Sequence, residues 1–167
     1  MKKPSGGYRL SALIKISALV LSVFAAGTMK AQNRDQISNQ IDPRPFADNA
    51  NHWYGIFDKN NIINPRPGRP RHAPNELVSI ADNILLYQKD NGGWPKNYDV
   101  FAILTDAQKD SLIAKKSKLN TTYDNGSTYN QIAALAQVYS VTKVGKYKTA
   151  ALKGLDFVIA SQYKNGG

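Results

Sequence analysis

Two short polar segments hold the residues that could carry chemistry. Residues 121–126 read TTYDNG, in which Asp124 and Asn125 place a carboxylate and an amide side by side. Side-chain oxygens suit a hard cation such as Ca²⁺, which takes about six to eight of them, so this pair would be only part of a site. The sequence Asp-Asn-Gly is equally typical of an ordinary turn, and the chemistry leaves that alternative open.

The second segment, NGGWPK at residues 91–96, joins two glycines to an aromatic and a basic side chain. The indole of Trp94 offers a flat stacking face, and Lys96 offers a positive charge beside it, which together suit a sugar acid. In the alternative interpretation the glycines only end a helix, Trp94 packs into the core and Lys96 is solvated.

Four amphipathic helices are predicted to position these segments, and no strand pattern competes with them. A helix of about four turns from Asn75 to near Lys89 precedes the first glycine, and Thr105 with Gln108 forms a predicted capping box for a short helix. A third helix starts near Thr128, and a fourth runs to about residue 163. Their predicted apolar positions are Leu77, Ile80, Ala81, Ile84 and Leu85, then Ile132, Leu135, Ala136 and Tyr139, then Tyr147, Ala150, Ala151, Leu155, Val158 and Ile159. The predicted fold class is therefore all-α.

An internal sequence repeat, here called the internal echo, indicates how the helices are arranged. ADNILLYQKDNGG at 81–93 aligns with LDFVIASQYKNGG at 155–167, pairing Asp82 with Asp156 and Gln88 with Gln162. A recurring helix-pair unit predicts α/α-toroid-like helical hairpin repeats, because one such unit alone leaves an apolar face uncovered. The second copy stops at the glycines, so we expect an incomplete repeat array in a truncated chain.

The first 74 residues divide into two predicted segments. Residues 1–31 have a basic start, an apolar run of about a dozen residues and a small-residue exit, which predicts a signal peptide; a membrane anchor is the alternative. Residues 32–74, rich in proline and asparagine, predict an extended arm docked through apolar residues at 53–57, or else a disordered linker. The chain is then secreted or periplasmic, with no membrane contact after cleavage.

Composition narrows the class of partner. Removing the leader takes away five basic residues and no acidic ones, so the formal charge falls from +10 to +5. An exported, mildly basic chain suits an acidic polysaccharide, and its lysines lack the interleaved aromatics of a nucleic-acid surface. With no cysteine, a metal would need oxygen ligands or one of two histidines, His52 and His72, which have no ligand partners at suitable spacing.

Three motifs together resemble one enzyme family. IADNILLYQKDNGGWPKNYD, TTYDNGSTYNQIAALAQVY and GLDFVIASQYKNGG, with FADNANHWYGIFDKNNIINP in the arm, are similar in order and spacing to the polysaccharide lyase family 10 pectate lyases. The likeness spans about residues 44–167. It implies a catalytic domain of which residues 75–167 are the N-terminal part, and calcium-dependent β-elimination of polygalacturonate (pectate).

The resemblance also implies roles for individual residues. Asp124 becomes the candidate catalytic residue and, with Asn125, a calcium ligand; Asn125, Trp94 and Lys96 become substrate-binding residues of the cleft. The arginine base and further acidic ligands are implied beyond residue 167, so we expect this chain to be inactive or unstable alone. Two alternatives remain open: a non-catalytic galacturonan-binding remnant, and a helical-repeat interaction protein.

Overall fold

A computed structural model describes residues 38–55 and 69–165 of the chain. These residues lie in one compact unit, Ile37–Gly167. The predicted signal peptide, residues 32–37 and 56–68 of the predicted arm, and the two glycines that close the second repeat copy lie outside the described residues.

Helices make up the regular structure of the described ranges, which confirms the all-α class. In chain order they are α1 (Ala47–Gly55), α2 (Leu77–Tyr87), α3 (Asp106–Ala114), α4 (Tyr129–Thr142) and α5 (Gly145–Ala160), with 3₁₀ turns at Arg44–Phe46 and Asp124–Gly126. No β-strand forms in these ranges, where Arg71 and Ala102 make one isolated bridge. None of the described helices is long and apolar enough to cross a membrane. The toroid arrangement remains a prediction.

Helix α1 lies within residues 32–74, the predicted extended arm, and shows that residues 47–55 of that segment are helical and not extended. Phe46, Ala50 and Trp53 recur at helical spacing and are buried, and the ring of Phe46 meets Phe101 edge-on with 6.2 Å between centroids. Burial of Ala50 and Trp53 on α1, together with Phe46 in the 3₁₀ turn before it, stabilises a nine-residue helix that would be marginal in isolation. The last proline before α1 is Pro45, which lies in the first 3₁₀ turn. The fixed φ of proline is compatible with helical geometry at this position.

The N-terminus of α2 differs from the prediction in its N-cap residue. Asn75 does not cap the helix; Glu76 occupies the N-cap position without a side-chain cap, and its carboxylate accepts from the Ala73 N–H at 2.5 Å. At the C-terminus, the Lys116 ammonium donates to the Leu85 and Gln88 carbonyls at 2.8 and 3.0 Å. A cation here satisfies carbonyls that lack a helical partner and complements the helix dipole.

The predicted capping box is confirmed at α3. Thr105 accepts from the Gln108 N–H, and the Gln108 side chain accepts from the Thr105 N–H. Both bonds involve residues only three positions apart, so the local sequence specifies this helix start.

The core lies where α2 packs on the hairpin of α4 and α5. Leu135 and Val138 of α4 and Tyr147 of α5 have no exposed surface, whereas Ala136, predicted as an apolar contact, is exposed. The predicted stripe on α4 was therefore wrong at this position. Small residues on α5 permit the close approach, above all Gly154, where a Cβ atom would lie 2.7 Å from Ile132 Cγ1.

The outer face of α5 is apolar as well. Leu155 and Ile159, predicted to be core residues, are 44% and 67% exposed, so that prediction was wrong. The two copies of the internal echo also differ in surroundings: Gln88 is buried and donates to the Ala150 carbonyl at 2.9 Å, whereas its counterpart Gln162 is exposed. Shared sequence does not give the two copies the same packing.

Candidate functional site

The two polar segments singled out in the sequence are joined to one another. The Thr122 N–H donates to the Trp94 carbonyl at 3.0 Å, and the Trp94 N–H donates to Thr128 Oγ1 at 3.2 Å. The Thr128 hydroxyl in turn donates to the Thr122 carbonyl at 2.9 Å. These bonds hold the NGGWPK loop beside the TTYDNG turn, so their side chains share one surface.

Lys96 and Asp124 form the charged centre of that surface. The Lys96 ammonium lies 2.5 Å from Asp124 Oδ2, and about half of each side chain is exposed. The hydrogen bond from Lys96 and then its charge lower the pKa of Asp124, with a smaller contribution from His52. Asp124 is therefore ionised at neutral pH, and both charges are accessible from solvent.

The 3₁₀ turn Asp124–Gly126 depends on left-handed backbone. Asn125 has φ 54° and Gly126 has φ 75°. Asparagine is among the residues that tolerate this region. At Gly126 glycine is needed for its positive φ; a Cβ there would also lie 2.2 Å from Asn130 Nδ2, the end of a side chain that would have to move.

Helix α1 adds a second carboxylate to the site. The Asn125 amide can donate to Asn97 Oδ1 at 3.3 Å, or, turned by 180°, to Asp48 Oδ2 at 2.9 Å and Asp124 Oδ1 at 3.1 Å. The amide therefore lies between the two carboxylates. His52 lies 3.5 Å from the Asp48 carboxylate, four residues earlier, and His72 lies 3.0 Å from Glu76, four residues later, so the prediction that neither histidine has an acidic partner at suitable spacing was wrong.

The donor set of this cluster fits a hard cation only in part. When the Asn125 amide nitrogen faces Asn97, the amide oxygen faces Asp48 Oδ2 and Asp124 Oδ1, and all three are the oxygen ligands that Ca²⁺ prefers; in the turned orientation the amide nitrogen takes that place. Within the described ranges, no group of three or more His, Cys, Asp or Glu residues could hold a metal ion by itself. A cation at this place would take its remaining ligands from water or from substrate carboxylates.

Trp94 is not part of the exposed surface, which corrects its predicted role as a stacking face. The side chain has no exposed area, and its indole N–H donates to the Ile84 carbonyl at 2.8 Å. Its ring packs near Gly154, where a Cβ would lie 2.8 Å from Trp94 Cζ3. The indole is a core residue with its polar atom satisfied, as the alternative interpretation of the segment proposed.

Three residues that sequence reasoning did not single out complete the cluster: Asp48, Asn49 and Asn97. They come from α1 and from the position after Lys96. A signal for α1 was present, since Asp48 and Asn49 repeat the Asp-Asn pair of the 124–126 turn. What the sequence lacked was any indication that segments 76 residues apart would meet, as they do through Asn49 and Asn125.

Comparison with known proteins bears on this same part of the chain. Residues 88–167 match the family model described as Pectic acid lyase. This match relates the segment that carries Lys96, Asp124 and Asn125 to the pectate lyases. The searches of curated proteins and of solved structures gave no significant match. The pectic acid lyase match begins at Gln88, so it excludes α1 and the carboxylate that α1 contributes.

Proposed function

We propose that this chain is part of a secreted, calcium-dependent pectate lyase of polysaccharide lyase family 10, and that the cluster around Lys96 and Asp124 binds polygalacturonate. The convergence of an exposed lysine and side-chain oxygens within the segment that matches pectic acid lyases carries this proposal. A polygalacturonate chain bears one carboxylate per sugar, so an accessible cation site and ammonium group are complementary to it.

Each residue has a distinct part in this proposal. Lys96 forms a charge-assisted hydrogen bond to a galacturonate carboxylate. Asp124, through Oδ1, would hold Ca²⁺ together with Asn125 and Asp48, while Asp124 Oδ2 keeps Lys96 in place. Bound calcium would neutralise the substrate carboxylate and so make the neighbouring C5 proton more acidic.

The reaction of the proposed lyase is a β-elimination. A base removes the C5 proton, the electron pair forms the C4–C5 double bond, and the C4–O bond to the leaving sugar breaks; the departing oxygen takes up a proton. Asp124 contributes by fixing the acidic sugar at the reacting position. It is not proposed as the base, because an ionised carboxylate with a lowered pKa is a weak proton acceptor at neutral pH.

Binding of galacturonan without turnover is the second candidate function, and the arginines of the described ranges favour it. The family resemblance requires an arginine base. Arg44 pairs with Asp42, Arg71 pairs with Asp99, and Arg69 donates to the Gln108 side chain. Within the described part of the chain, none of these three arginines is hydrogen-bonded or ion-paired to Lys96 or Asp124.

Titration calorimetry with polygalacturonate separates these functions from an unrelated helical protein. We expect heat of binding in the presence of Ca²⁺ and its loss after chelation. Ultraviolet absorbance of the unsaturated product, followed in the same mixture, then separates lyase from binding protein. Absence of binding with and without calcium would exclude both proposals.

A further inference from the structure

The Asn49 side chain is hydrogen-bonded to both polar segments of the site. It lies on α1 and is 1% exposed. Its amide nitrogen donates to the Asn125 carbonyl at 2.7 Å and lies 3.3 Å from Ser127 Oγ. Its amide oxygen accepts from the Asn97 N–H at 2.7 Å. One buried side chain therefore holds the backbone of both polar segments.

Both residues whose backbone Asn49 bonds lie in the left-handed region, which among the described residues other than glycine also includes Thr128 and Lys143. Asn97 has φ 62° and Asn125 has φ 54°, and each directly follows a charged residue of the site. Left-handed backbone at a residue other than glycine is intrinsically unfavourable, and persists where the surroundings fix it. The bonds from Asn49 can fix this backbone, because they are short, come from a buried side chain and are made to the main chain.

We propose that Asn49 is a positioning residue that sets the distance and direction between Lys96 and Asp124 by bonding to the residue that follows each of them. It touches neither side chain of the pair. Its amide is suited to this role, because the group must accept a hydrogen bond from one segment and donate one to the other, and an amide does both without a change of protonation state. Its consequence for pectate binding rests on the proposed function, whereas its effect on the two segments does not.

Asn83 offers a matched control. It is also a buried asparagine on a helix, and its amide donates to the Val100 and Ala102 carbonyls at 2.9 and 2.7 Å. Replacing either asparagine by alanine leaves buried backbone groups without their partner, so both variants should lose stability. Only Asn49 contacts the segments of the site.

The first measurement is amide hydrogen exchange by NMR in the full chain. In Asn49→Ala we expect exchange at the Asn97 N–H to become about tenfold faster or more, beyond any global change, because its acceptor is gone. In Asn83→Ala, the exchange rate of the Asn97 N–H, relative to the global exchange rate, should not change. Unaltered protection of Asn97 in Asn49→Ala would overturn the positioning role, whatever ligand the protein binds. If alanine prevents folding, Asn49→Ser serves instead, since its hydroxyl can satisfy one of the two segments.

The second measurement is affinity for polygalacturonate with calcium. Asn49→Ala should weaken binding about tenfold, and Asn83→Ala should change it less than about twofold. In a Lys96→Ala background, Asn49→Ala should change the affinity for polygalacturonate by less than about twofold. The Lys96–Asp124 pair that Asn49 positions is already broken in that background. An equal loss in both backgrounds, or an equal loss in Asn83→Ala, would show a structural role only. Failure of the unaltered chain to bind would reject the proposed function and leave the exchange result to decide the positioning role.

Discussion

Replacing Trp94 by phenylalanine separates a core role from a ligand-binding role. The indole N–H bond to the Ile84 carbonyl would be lost, at a cost of about 1 kcal/mol. Tryptophan buries up to roughly 50 Å² more than phenylalanine, and at about 25 cal/mol per Å² this adds about 1 kcal/mol. We therefore expect Trp94→Phe to lower the free energy of unfolding by about 2 kcal/mol. Trp94→Ala should lower it by about 3–5 kcal/mol.

Urea denaturation followed by far-ultraviolet circular dichroism measures this change without relying on the fluorescence of the substituted residue. Affinity for polygalacturonate, measured under conditions where the variant is folded, should stay within about twofold of the unaltered chain. Lys96→Ala is the contrasting variant, with little change in unfolding and a clear loss of binding, because its side chain is half exposed. A Trp94→Phe variant of full stability that no longer binds would refute the assignment of the indole to the core.

Three further predictions concern packing, capping and charge. Gly154→Val should lower the free energy of unfolding by more than about 2 kcal/mol in urea denaturation, because its Cβ would collide with Ile132 at 2.7 Å; a neutral result would mean that α4 and α5 are not packed as described. Thr105→Ala should cost about 1 kcal/mol in the same assay through loss of the capping box, and an unchanged midpoint would count against that cap. Lys96→Ala should raise the pKa of Asp124 towards its ordinary value in a carboxyl NMR titration, since the Lys96 hydrogen bond is the largest cause of its lowering. The stabilisation from this pair is present above the unfolded-state pKa and is lost as pH falls through the folded-state pKa, so a titration unaffected by the substitution would contradict the pairing.

Local features of the fold could be predicted from the sequence, because their determinants are a few residues apart. The Thr105 and Gln108 box is one case, and the start of α4 after Thr128 is another. Helix α1 was missed because its apolar residues are few and are flanked by prolines and asparagines, which usually indicate irregular structure. Its stability comes from tertiary burial of Phe46 and Trp53, which no local pattern reveals.

The candidate site was predictable in part for the same reason. The residue types at Lys96, Asp124 and Asn125 indicated where chemistry could lie, and the structure brings these three together. Residue type alone could not predict whether Trp94 is buried or exposed, since an indole is equally suited to a core and to a sugar-binding face. Asn49 could not be found at all, because its importance comes from bonds to residues 48 and 76 positions away.

The central claim is that oxygens of Asp124 and Asn125 help to bind a divalent cation against an acidic sugar polymer. Calorimetric titration of the Asp124→Ala/Asn125→Ala variant with polygalacturonate and calcium tests it most directly, with Asp110→Ala, which removes an exposed carboxylate from α3, as the control. We expect calcium-dependent binding to disappear in the double variant and to persist in the control. Full calcium-dependent affinity in a folded double variant would contradict it.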